Sequence, residues 1–442
     1  MSYRLGFDIG GTFTDLLLVD ERTGAIVQEK VPTTPPAFWK GAITGIEQLV
    51  EKAGVAPTDI DHVSHGTTVA TNALLEDGGA TTGLITTEGF RDVIAIGREK
   101  RSEIYNLSAA TPPTFTARRH RHGVPERMSP DGTVITPLDA TRVEEVLDDL
   151  EAEGVDSVAV SFLHAYANDE HERQVVDLAG NRDLSVSRSS AVMSEIKEYE
   201  RTLAAVINAY VGPIVEGYVD ALSEAIHDLG IDRTLHLMQA SGGVLTPDTL
   251  DGRQIRLINS GPAAGVLGAT RLTAASGIND VITLDMGGTS TDTCLVSAGE
   301  IESTTEGDIE GIPLQFQQID VRSIGAGGGS IAWVDRGGTL KVGPKSAGAR
   351  PGPACYGRGG TDPTVTDAAL LLGYLNPDYF LGGEMTLDEE AATAAVASVA
   401  DQLDIDNLAL ADGIIEIVTT DMTRGIRLVT VDNGVDPRSF AL

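Results

Sequence analysis

Two eight-residue segments carry the chemistry that can be read in this chain. Asp8-Ile9-Gly10-Gly11-Thr12-Phe13-Thr14-Asp15 and Asp285-Met286-Gly287-Gly288-Thr289-Ser290-Thr291-Asp292 agree at six of eight positions. Each follows a short apolar run (YRLGF, DVITL) and precedes another (LLLV, CLV). The pattern is strand, tight Gly-Gly turn, strand: a hairpin whose tip carries Thr and Asp. Glycines at such a tip let backbone N–H groups approach an oxyanion, and the Thr hydroxyl adds a donor. The leading aspartate, Asp8 or Asp285, ends its strand where it can hold Mg²⁺ through water against phosphates. One copy alone is explained equally well as a structural turn with capping Thr and Asp. Two matched copies argue for two related lobes that grip the phosphates of a nucleotide from both sides, so that positioning and electrostatics promote phosphoryl transfer. The P-loop pattern GxxxxGK[ST] is absent.

The elements that must position these hairpins alternate between helical and extended patterns, which argues for an α/β chain. Helical periodicity marks 36–54, 69–79, 138–154, 261–276, 386–403 and 411–434, with strands at 81–87, 156–162 and 235–239. A long helical stretch over 194–230 is expected to break near Gly212-Pro213. Residues 100–137 read as loop with short strands. From 323 to 360 the chain is Gly-rich. Its GAGGGS run (325–330) places Gly327 and Gly328 either as further phosphate-approaching glycines or as a close-packed backbone crossing.

Composition narrows the function classes. The 442 residues suit two or three domains of about 150 residues each. With 32 Lys+Arg against 65 Asp+Glu the net charge is −33, which argues against nucleic acid as a partner. The acidic residues are spread along the chain, the surface composition of a protein working in high salt. No apolar run in the sequence approaches the ~20 residues of a membrane span. Cys294 and Cys355 lie far apart, fitting a reducing cytoplasm. Five further residues are candidates of a weaker kind. His65 opens HGTT and reads as a hydrogen-bonded, helix-flanking histidine before a substrate or metal contact. His120 and His122 in ARRHRHGVPER read as a basic surface strand before a metal site, since no third ligand is near in sequence. Cys355 reads as packing beneath the Gly-rich loop before a catalytic thiol, and Trp333 as core.

The paired DIGGTFTD and DMGGTSTD, together with HGTTVATNALLE (65–76), MQASGGVL (238–245), SGPAAGVLGA (260–269) and the block GAGGGSIAWVDRGGTLKVGPKSAGARPGPACYGRGGTDPTVTDA (325–368), resemble the A-type subunit of the hydantoinase/oxoprolinase family over essentially the whole chain. That resemblance implies a two-lobed, actin-like ATPase fold with ribonuclease H-like lobes. It divides the chain into a lobe at 1–193 and an A-type domain at 194–442. It places Asp8, Gly10, Gly11, Thr12, Thr14 and Asp15 in one phosphate site, and Asp285, Gly287, Gly288, Thr289, Thr291 and Asp292 in the other, with Asp8 and Asp285 as the catalytic and metal-holding residues. Implied too are ATP with Mg²⁺ and K⁺, a B-type partner subunit, and a reaction that opens 5-oxoproline or a hydantoin by phosphorylating the amide oxygen. Ketone carboxylase subunits are relatives, and a carboxylase subunit or a non-catalytic nucleotide-binding remnant are the alternatives. Family members continue from a segment like Asp436-Pro437-Arg438-Ser439-Phe440-Ala441-Leu442 into a strand and a GGAGP-type turn that holds adenosine. The resemblance therefore implies a second lobe left incomplete at Leu442, with an open sheet edge and a separate chain as one way to complete it.

Overall fold

A computed structural model describes residues 2–34, 36–99, 113–309, 311–383 and 385–442. The expected loop over 100–137 falls partly outside this range; its described part holds short strands such as Arg121–Val124. The first hairpin is built into a six-stranded sheet in the order Val244–Leu245, Leu235–Met238, Ile60–Thr67, Tyr3–Ile9, Phe13–Asp20, Ile26–Pro32. Tyr3–Ile9 runs antiparallel to Phe13–Asp20 with Asp8 opposite Asp15, and parallel to Ile60–Thr67 with Asp8 opposite Gly66. The alternation of a strand sends Leu5, Phe7, Ile9, Leu16 and Leu18 into the core and leaves Gly6, Asp8, Asp15 and Leu17 on the other face.

Helix Phe38–Ala53 covers the core face with Ile46 and Leu49, and Gly54 in the left-handed conformation ends it. Beside it runs Glu198–Asp228, a continuous 31-residue helix with Pro213 inside. The expected break does not occur. Proline removes one helical hydrogen bond, but Leu203 through Gly212 are all buried, and that packing holds both halves on one axis. This helix is long and apolar enough to cross a membrane, and 78% of its most apolar window is buried inside the protein, the setting of a core helix. The strands at 235–238 and 244–245 join the first sheet, so the packing carries residues 198–258 with the first core. The lobe around the first hairpin thus extends past the boundary at 193–194, because its central helix and two of its strands come later in the chain.

A second, all-parallel sheet in the order Ser185–Arg188, Ser157–Ser161, Thr82–Thr87, Arg121–Val124 has its own core under helix Ala140–Ala152. The second hairpin lies in a third sheet. Val281–Met286 pairs antiparallel with Thr291–Ser297, Asp285 opposite Asp292, and Arg322–Ile324 adds on the far side. Helix Asn407–Val429 packs beneath it. Along the outer edge of Val281–Met286, Val281 bridges Ala441 in parallel, and the Ile282 amide donates to the Ala441 carbonyl at 2.8 Å. Further along that strand, Leu284 and Met286 are exposed.

Candidate phosphate-gripping site

Both hairpin tips close alike. The Gly10 amide donates to the Phe13 carbonyl at 3.0 Å, and the Gly287 amide to the Ser290 carbonyl at 2.9 Å. The tips meet: a Cβ placed on Gly288 would lie 2.9 Å from the Thr12 hydroxyl. The structure thus brings together two segments that are remote in sequence, and a side chain at Gly288 would displace the Thr12 hydroxyl.

The two cross-strand pairs, Asp8 with Asp15 and Asp285 with Asp292, put four carboxylates around this junction. Burial pushes the Asp8 carboxyl up to about 6, with Asp15 and Asp285 adding repulsion and Lys30 opposing it. Burial also pushes Asp292 up to about 6, against the hydrogen bond that the Ser323 hydroxyl donates to it and with further repulsion from Asp285. Asp285 itself is exposed and acts on both. Asp15 is held by the Lys30 ammonium at 2.7 and 2.8 Å.

Asp8 Oδ1 is buried with no hydrogen-bond partner. Two glycines wrap it: a Cβ on Gly66 would come within 2.5 Å of this oxygen and one on Gly261 within 3.1 Å. A carboxylate with an unpartnered buried oxygen, repelled by Asp15 and Asp285, has the chemistry of a ligand for a hard divalent cation. Among the described residues no three His, Cys, Asp or Glu side chains converge to form a closed metal cage.

The other expected site residues are placed as follows. Gly11 and Thr289 lie at the exposed tips. Thr14 and Thr291 are buried on the core side of their strands. Thr14 meets the Thr33 hydroxyl at 3.3 Å, and Thr291 donates to the Ala326 carbonyl, so both hydroxyls anchor the hairpins. In the GAGGGS run the Gly327 amide donates to Ser330 Oγ at 2.9 Å, and the Gly328 amide to the Gly287 carbonyl at 3.0 Å. A Cβ on Gly327 would lie 2.6 Å from the Thr289 carbonyl carbon. The run is a close-packed crossing that buttresses the second tip, and both amides are committed within the protein.

His65 is buried between the Phe7 carbonyl, 3.2 Å from Nδ1, and the Tyr218 hydroxyl, 2.6 Å from Nε2. His120 is buried rather than part of a surface strand, with Nε2 3.0 Å from Glu153, because the turn before its strand folds inward. Trp333 is not core: it is 43% exposed, with Nε1 donating to the Gly343 carbonyl at 2.9 Å. Cys355 and Cys294 are both buried, and burial pushes their thiols up, Cys294 to about 12. Sequence reasoning missed Lys30, Gly66 and Gly261. The last two stand in HGTT and SGPAAG, blocks whose glycines carried no assigned partner until Asp8 was placed between them.

An α/β protein with two meeting Gly-Gly-Thr hairpins ringed by aspartates is the class that this geometry defines. Family models described as hydantoinase/oxoprolinase N-terminal region and hydantoinase/oxoprolinase match residues 4–182 and 201–442. The chain belongs to the hydantoinase/oxoprolinase family. It is 38% identical to the caprolactamase subunit alpha of Pseudomonas jessenii, over all of this chain and 64% of that one. It is 32% identical to the 5-oxoprolinase of Saccharomyces cerevisiae, over 98% of this chain and 37% of that one. The crystal structure of the P. jessenii ATP-dependent caprolactamase superposes with a TM-score of 0.82 at 37% identity, covering 99% of this chain and 64% of that one. A nucleotide-free acetone carboxylase structure does so with a TM-score of 0.87 at 30% identity, with the same coverages. The chain thus spans less than two thirds of the length of each of these relatives.

Proposed function

We propose that this chain is the ATP-using subunit of an enzyme that opens a cyclic amide, in a two-lobed actin-like ATPase arrangement. The observation that carries the reading is the meeting of the two hairpin tips with Asp8, Asp15, Asp285 and Asp292 around them. The tip amides not already paired within the hairpins and the Thr12 and Thr289 hydroxyls would bind phosphate oxygens, and Asp8 and Asp285 would hold Mg²⁺, which would neutralise charge on the transferring phosphoryl group. Amide resonance makes the ring carbonyl a poor electrophile. Attack of its oxygen on the γ-phosphorus releases ADP and leaves an O-phosphorylated imidate. Water then adds to that carbon, the C–N bond breaks as the departing nitrogen takes a proton, and a second water hydrolyses the resulting acyl phosphate to the carboxylate and phosphate. The caprolactamase and oxoprolinase relatives support a lactam or hydantoin substrate. The acetone carboxylase likeness favours a second reading, in which the same apparatus activates a ketone or bicarbonate. Relatives named as subunits support a partner chain, for which a B-type subunit is our reading. The free, buried cysteines support a cytoplasmic setting.

The test is phosphate release by the chain with its partner subunit, ATP, Mg²⁺ and K⁺, with lactams, hydantoins and ketones in turn. Ring-opened product should appear in step with phosphate for a lactam or hydantoin. Asp285→Asn should abolish turnover while the circular dichroism spectrum is unchanged. Absence of substrate-dependent phosphate release with every compound would remove both enzymatic readings.

A further inference from the structure

The open face of the first sheet holds a cavity of about 830 Å³ whose floor and walls include Gly6, Leu17, Gln28, Ser64, Met238 and Ala264. This volume is in the range of small-molecule sites. One end reaches Asp8 and Asp15 at the root of the first hairpin. Gly6 stands in the middle of strand Tyr3–Ile9, two residues before Asp8 on the same face, between Leu17 and Ser64 of the neighbouring strands. A glycine there weakens a central strand, and nothing lies within 4 Å of the position its Cβ would take. The fold leaves room for a side chain that the sequence does not supply. Such a glycine marks close approach of something to the sheet, and here the approach is from the cavity.

The charges around the cavity specify what fits. Its two lysines are both engaged. Lys30 binds both oxygens of Asp15, and Lys52 binds Glu29 at 2.9 Å and the Gln28 carbonyl at 2.8 Å. With Asp8, Asp15 and Glu29 also on the lining, the carboxylates outnumber the lysines, and among the described residues on the lining an anionic ligand meets no lysine that is not already paired. Leu17, Met238 and Ala264 offer an apolar surface to a compact ring.

We propose that this cavity is the acceptor pocket, holding an uncharged cyclic amide on Gly6 with its carbonyl toward the hairpin tips, and that it discriminates against rings bearing a carboxylate. The proposal rests on the amide-opening reading and adds the location and charge class of the substrate.

Its test reads binding apart from turnover. In the full chain labelled with ¹³C-methyl methionine, the Met238 signal, assigned through Met238→Leu, should shift on titration with ε-caprolactam, 2-pyrrolidinone or hydantoin. It should stay in place with 5-oxoproline at the same concentrations. Gly6→Val, and Gly6→Ala should the valine variant not fold, should weaken that titration at least tenfold and raise the KM for the lactam in the turnover assay by a similar factor. No shift at Met238 with any neutral ring, or a lactam KM untouched by both Gly6 variants, would overturn the pocket. An equal shift with 5-oxoproline would overturn its selectivity. A Met238 shift that obeys these rules without lactam-dependent ATP hydrolysis would leave the pocket standing and remove the catalytic reading.

Discussion

Replacing His65 by Gln should change how stability depends on pH by a calculable amount. The imidazole is buried in the first core, stacked on Phe7 with ring centroids 4.4 Å apart. A carbonyl only accepts, so the hydrogen bond to Phe7 assigns the proton to Nδ1 and leaves Nε2 to accept from Tyr218. Burial pushes the ring down to about 3 from an ordinary value of 6.5. Above pH 6.5 neither folded nor unfolded chain carries this proton, and the group adds no pH dependence. Below it the unfolded chain gains a proton that the folded chain refuses. Folding free energy then falls by about 1.4 kcal/mol per pH unit, or about 2 kcal/mol at pH 5 relative to neutral pH. Asp8, Asp292 and the buried Glu172 have raised values. The folded state therefore takes up their protons first, which stabilises it as pH falls, through about 6 for Asp8 and Asp292. That opposing slope is common to both proteins and cancels in their difference. Gln keeps a donor and an acceptor but does not titrate. It carries a constant cost from the lost stacking, and its deficit against His65 should shrink by about 2 kcal/mol between pH 7.5 and pH 5. Urea unfolding followed by far-UV circular dichroism at four or five pH values measures this difference. Parallel stability curves across the range would mean that the folded protein protonates His65 freely, and the argument from burial would fail.

Gly66→Ala should push a methyl group into Asp8 Oδ1, since the Cβ position is 2.5 Å from that oxygen. Mg²⁺-dependent nucleotide affinity, measured by calorimetry, should drop at least tenfold, whereas Gly11→Ala, whose Cβ meets open space, should fold as well as the parent. Nucleotide binding should itself require a divalent cation, because an anionic nucleotide alone would face four aspartates while Lys30 is already paired; affinity retained in EDTA would contradict the site's placement. Both cysteines should resist a thiol reagent such as DTNB in the native protein and react fully in denaturant, because both are buried with raised thiol values; a thiol that reacts fast under native conditions would contradict that packing.

How much was legible in the sequence depended on whether the deciding contact was local. The hairpins were legible because apolar run, Gly-Gly-Thr and apolar run fix strand, turn and strand within a dozen residues. The same locality gave the amphipathic helix Ala140–Ala152, whose Asp139 side chain accepts from the Arg142 amide. The unbroken helix through Pro213 was not legible, since its continuity comes from burial against elements far along the chain. Trp333 on the surface and His120 inside it failed for a related reason: residue type is only a prior for burial. The assignment of Thr14 and Thr291 to phosphate was also misled, because position in a motif says nothing about which strand face a residue takes. The register does. Thr14 and Thr291 each stand one residue before the outward-facing Asp15 and Asp292, so strand alternation turns them inward. The Gly-rich run could be read either way until its amides were seen donating to the second tip.

The same alternation explains why one sheet can carry both stability and a reactive surface. A mid-strand glycine costs roughly 0.5–1 kcal/mol against alanine, and Gly6 and Gly66 occupy adjacent strands at the centre of the first sheet. Asp8 adds a buried carboxyl without a partner. Such losses on one face are tolerable only if the other face is packed without compromise. There Leu5, Phe7, Ile9, Leu16 and Leu18 are all buried, with Val63 beside them on the next strand. Because the side-chain period of a strand is two, every residue that builds this core alternates with one that faces the cavity. A one-residue slip in register would put Asp8 into the core and Phe7 into the cavity, destroying both at once. Selection for the site and selection for the core therefore act on the same register, and the glycines on the open face mark where the first has taken precedence over the second.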